Sequence, residues 1–87
     1  IPVLEAMSFG VPVIISNANA LVEIAGGAAL IFKRDRPEEL VSAIEKILSD
    51  VVLRETLIEK GYNRVKEFTW KSSALKLKSL YDNLLRI

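Results

Sequence analysis

The chain has 87 residues, 51% of them hydrophobic, and 12 basic against 11 acidic side chains give it a net charge of +1. That balance leaves no electrostatic footprint for nucleic acid, and the lack of cysteine and histidine removes disulfide frameworks, thiol nucleophiles, histidine bases and the usual zinc ligands. Chemistry is left to carboxylates, hydroxyls, lysine, arginine and backbone amides, and with no signal segment and no apolar run near the roughly 20 residues that span a bilayer, a cytoplasmic protein is expected.

Pro2 at a first helical position and Glu5 one turn in predict a short helix over 2–9, with Leu4, Ala6 and Met7 on its apolar stripe. Gly10-Val11-Pro12 ends it. Residues 11–15 form an apolar run without polar alternation, the pattern of a strand covered on both faces of a parallel sheet, and Ser16-Asn17 close it. A helical turn over 21–25 stops at Gly26-Gly27, and 28–32 read as the next parallel strand. Pro37, the acidic Glu38 and Glu39, and Leu40, Val41, Ile44, Ile47 and Leu48 on one face predict a helix over 37–49. Asp50 suits the cap of another helix, carrying Leu53, Leu57, Ile58, Val65 and Phe68, in which Gly61 either permits close packing or marks a kink. Thr69 is expected to cap a last helix over 70–86, where Trp70, Ala74, Leu77, Tyr81 and Leu84 recur at helical spacing.

The fold class is therefore α/β, with two parallel strands, flanking helices and a helical C-terminal end. This order fits the closing part of a doubly wound domain better than a complete one. A two-stranded sheet is marginal alone, and half-hydrophobic composition in so short a chain suggests that some apolar surface is meant for absent neighbours. The chain is expected to be a fragment, and in isolation to borrow strands from a second copy or from the remainder of its own protein.

Three blocks, Pro2-Val3-Leu4-Glu5-Ala6-Met7, Gly10-Val11-Pro12-Val13-Ile14 and Ser16-Asn17, resemble the C-terminal, Rossmann-like domain of retaining GT-B glycosyltransferases of the glycosyl transferases group 1 family. The similarity continues through Leu21-Val22-Glu23-Ile24, Pro37-Glu38-Glu39-Leu40 and Phe68-Thr69-Trp70. In that family two glutamates bracket a Gly-rich turn, in the pattern Glu-Gly-Phe-Gly-Leu-Pro-x-x-Glu, and Glu5 matches the second. The resemblance implies that Glu5 accepts hydrogen bonds from the ribose of a nucleotide-diphosphate sugar, and that the first glutamate and the glycines belong ahead of Ile1. It also implies a hexose donor, retention at the anomeric carbon, no required metal or other cofactor, and a partner N-terminal GT-B domain to which the last helix crosses back. Val22 departs from a usual proline, Gly27 from a common aspartate and Arg36 from a usual aspartate cap, which bears on loop rigidity and capping alone.

Each candidate residue carries a plain reading beside the sharp one. Glu5 in a first helical turn also complements the helix dipole, for about 0.3 to 1 kcal/mol. Ser16 and Asn17 lie where open α/β sheets bind ligands, and both are ordinary turn formers. Glu23 either faces the donor pocket or is a solvated residue of a short helix. Trp70 and Phe68 are expected in the core rather than as a sugar-stacking platform, and Lys71, Lys76 and Lys78 as a solvated face. The donor-binding candidates are thus Glu5, Ser16, Asn17 and Glu23, with no catalytic or metal-ligating residue assigned. Two functions follow: part of a hexosyltransferase that is inactive by itself, or a non-catalytic nucleotide-binding or assembly module.

Overall fold

The computed structural model describes residues 2–85. Ile1 and the predicted end of the last helix at residue 86 lie outside them. The elements are α1 (Pro2–Ser8), β1 (Ile14–Ser16), α2 (Leu21–Ala25), β2 (Leu30–Phe32), α3 (Pro37–Ser49) and α4 (Val51–Leu85). The strands pair in parallel, with Ile14 opposite Leu30, Ile15 opposite Ile31 and Ser16 opposite Phe32.

Helix α1 stops as its sequence dictates. Gly10 adopts φ +72°, the Gly10 amide donates to the Met7 carbonyl at 3.1 Å, and the Val11 amide reaches back to Ala6 at 3.0 Å. These paired bonds satisfy carbonyls that the helix end leaves open, and the left-handed residue they need favours glycine. The chain then enters β1 later than its apolar run suggests. The Val13 carbonyl accepts the Leu30 amide at 2.9 Å, so pairing begins there. Pro12 has no amide hydrogen to extend the ladder upstream.

The core gathers Val3, Met7, Ile15, Ala25, Ala28 and Ala29, with Leu4, Val13, Leu21, Val22 and Val65 packed against it. Helix α1 lies chiefly against α4, and Gly61 makes the approach possible. A Cβ there would stand 3.2 Å from Met7 Cγ and 3.3 Å from its Cβ. Of the two readings of Gly61, close packing is the one realised. The sheet is less enclosed than expected: Ile15 is buried, but Ile31 is 45% exposed.

One boundary is corrected. Residues 51–85 form a single helix, with no break at Thr69. The Thr69 hydroxyl donates to the Val65 carbonyl at 3.0 Å, one turn back, so it hydrogen-bonds within the helix instead of opening a new one. Trp70 is likewise not a core residue: it is 77% exposed, on a side of α4 away from the one where Leu4 of α1 borders a shallow depression with Thr69 and Ser73. Phe68 is half-buried beneath the Arg64 guanidinium, 4.8 Å from ring centroid to Cζ.

Candidate functional site

The carboxyl ends of β1 and β2 open onto the loop that leads into α2. Asn17 amide donates to the Phe32 carbonyl at 2.8 Å, continuing the ladder past Ser16, and Asn17 Oδ1 accepts the Arg34 amide at 3.0 Å. The loop after β1 is thereby fastened to the loop after β2. Ser16 Oγ accepts the Ala18 amide at 3.2 Å, and Asn19 Oδ1 accepts the Leu21 amide at 2.9 Å. These short side chains fold the loop by taking up amides that would otherwise lack partners, the turn-forming role their residue types predict. Asn19 also does the capping that Ala20, at the N-cap position, does not.

Two open depressions flank this loop. One, of about 550 Å³, is lined by Ser16, Asn19, Phe32 and Arg34 among others. The second, of about 470 Å³, includes Asn17, Val22 and Glu23, and the two share Ala18, Asn19 and Ala20. Three of the four sequence candidates therefore border one stretch of surface at the strand ends, where open α/β sheets bind ligands. Glu5 borders neither depression. It is exposed on the first turn of α1, which packs against α2.

Two residues at the site escape a reading by motif. Arg34 brings a cation beside Ser16, and Asn19 brings an amide side chain; their position just past a strand end is the signal that would have found them. Carboxylate, amide, hydroxyl and guanidinium together can hold a polyol by paired hydrogen bonds and an anion by charge. Among the described residues no group of three metal-binding side chains occurs, and no helix is long and apolar enough to cross a membrane.

Arg36 confirms the expected weakness in capping. It occupies the N-cap of α3 and makes no side-chain cap bond. Glu39 Oε1 instead accepts the Lys33 amide at 3.1 Å, tying the first turn of α3 to the loop before it.

Comparison with known proteins matches residues 1–64 to the family described as Glycosyl transferases group 1. The chain is 33% identical over 84 residues to O-antigen chain mannosyltransferase B of Escherichia coli, covering 97% of this chain and 22% of that protein. It is 29% identical over 83 residues to an uncharacterized glycosyltransferase of Methanocaldococcus jannaschii, covering 93% of this chain and 24% of that protein. The chain thus spans less than a quarter of the length of these relatives. No solved structure matches it.

Proposed function

This chain belongs to the glycosyl transferases group 1 family, and on that premise we propose that it is part of the donor-binding domain of a transferase moving a hexose from a nucleotide-diphosphate sugar to an acceptor with retention. The observation that carries the reading is the extent of the family match: residues 1–64 take in α1 with Glu5, both strand ends and α2. The name of the Escherichia coli relative, a mannosyltransferase, supports a hexose as the transferred group.

In this reading the Glu5 carboxylate accepts hydrogen bonds from the ribose diol, for which its two oxygens are suited. Ser16, Asn17 and Glu23 border the donor at the strand ends. Stabilisation of the departing diphosphate is electrostatic and needs no metal, and the acceptor is held by an N-terminal domain outside these residues. Replacing Glu5 with alanine in the full-length enzyme removes charge-assisted hydrogen bonds and is expected to raise the donor KM by about tenfold or more. The variant should stay folded, since Glu5 is exposed and outside the core, and circular dichroism checks this beside the kinetics. An unchanged donor KM removes Glu5 from the ribose role.

By itself the 87-residue chain is proposed to lack turnover and to self-associate. Support comes from a sheet that, among the described residues, has two short strands with an unpaired outer edge on each, and from the uncovered apolar side chains of α4. A chain that stays monomeric in light scattering as its concentration is raised would overturn the self-association, and turnover of the isolated chain the rest.

A further inference from the structure

We infer that Arg64 is a positioning residue for the donor-facing segment, acting through the backbone of α2 on Glu23; this rests on the reading of Glu23 as a donor-side residue. Arg64 lies on α4, remote in sequence from α2, and its side chain is only 17% exposed. Its Nη2 donates to the carbonyl of Glu23 at 2.9 Å and its Nε to the carbonyl of Ile24 at 2.8 Å. The remaining nitrogen, Nη1, pairs with Glu67 at 2.8 Å, and the guanidinium plane lies over Phe68. All three nitrogens of the group are engaged, which fixes where its donors point.

Helix α2 has five residues, too short to be stable alone, so outside contacts set its position: Ala25 is buried in the core with Leu21 and Val22 packed against it, and Arg64 holds its carbonyls. Among the described side-chain hydrogen bonds, the Arg64 pair is the tie between α2 and α4, and one of its two acceptors is the peptide of Glu23 itself. Gly26 completes the latch. At φ +55° it turns the chain out of α2, and a Cβ there would run into the Arg64 Cζ and Nε. The backbone angle favours glycine, and any other residue would also have to push the guanidinium aside.

A second arginine of α4 provides the comparison that the test needs. Arg54 Nη1 donates to the Ile47 carbonyl at 2.9 Å and so closes the C-terminal end of α3 by the same chemistry, on an element that carries none of the donor-side candidates. If both arginines served only stability, their replacement would have the same consequences.

The experiment measures donor KM and kcat of the full-length enzyme with UDP-, GDP- and ADP-hexoses, and follows thermal melting in parallel. Arg64→Met should raise the donor KM about tenfold, the scale of a binding group displaced by a fraction of an ångström to an ångström, while kcat stays within about twofold. Arg64→Lys, able to reach one of the two carbonyls, should fall between Met and wild type; it also carries the test should Arg64→Met not fold. Arg54→Met should lower the melting temperature and leave KM alone. Adding Arg64→Met to Glu23→Ala should change KM no further, as expected for residues acting through one another. Arg64 variants that lose thermal stability with a wild-type KM overturn the inference, as do KM effects that multiply in the double variant. A wild-type KM in Glu23→Ala alone fails the donor-side reading of Glu23 on which the inference stands, whereas a raised KM there beside silent Arg64 variants sinks the latch only.

Discussion

The two halves of α4 share one unbroken helix and one kind of sequence, yet their surroundings are opposite. In the first half Leu57 is 5% exposed and Gly61 admits Met7 of α1. In the second, Trp70, Leu77, Tyr81 and Leu84 are 77%, 68%, 62% and 59% exposed. Apolar residues at helical spacing predict which side of a helix seeks cover, but not whether a neighbour lies within reach. Here the main neighbours are α1, of seven residues, and α3, of thirteen, and neither covers Trp70, Leu77, Tyr81 or Leu84. The result is a molecule 58 Å long and 15 Å thick.

That contrast can be broken by substitution. The largest effect is expected from Met7→Ala, which empties a site 1% exposed at the α1–α4 contact and should cost about 2 to 5 kcal/mol in urea unfolding of the 87-residue chain. A loss below about 0.5 kcal/mol would mean that α1 is not held against α4. An intermediate effect is expected where α4 begins. Asp50 Oδ1 accepts the Leu53 amide at 3.0 Å, so Asp50→Ala should cost about 1 kcal/mol, and Asp50→Asn should keep most of it. The smallest belongs to Trp70→Ser, within about 0.5 kcal/mol when measured at dilutions where the chain is monomeric. A loss well above that would show Trp70 to be covered after all, and the two halves alike.

Most elements were legible because local signals agree with the fold at those positions. Pro37, two glutamates and the Asp50 cap bound α3 as observed, and the Gly10 turn closes α1. The parallel pairing of the two apolar runs is also present, over three residues each rather than five. Thr69 misled because a hydroxyl that can cap a helix can equally bond one turn back inside it, and only the continuity of α4 decides between them. Trp70 misled because its register is right and its partner is absent. At the site, Ser16 and Asn17 were legible as strand-end residues, and the turn bonds they make are those their side chains favour. Arg64 was not legible. Its acceptors lie some forty residues away in sequence, and no spacing along the chain announces a bond to a distant carbonyl.

The continuity of α4 has a mechanical side. Measured along the helix axis, Leu84 stands about 30 Å beyond Arg64, at 1.5 Å per residue. A pivot of about 6° at the Arg64 anchorage sweeps Leu84 through about 3 Å, a displacement of the order of half a helical turn. Small differences of angle where α4 is held by α1 and α3 are thus magnified at its far end.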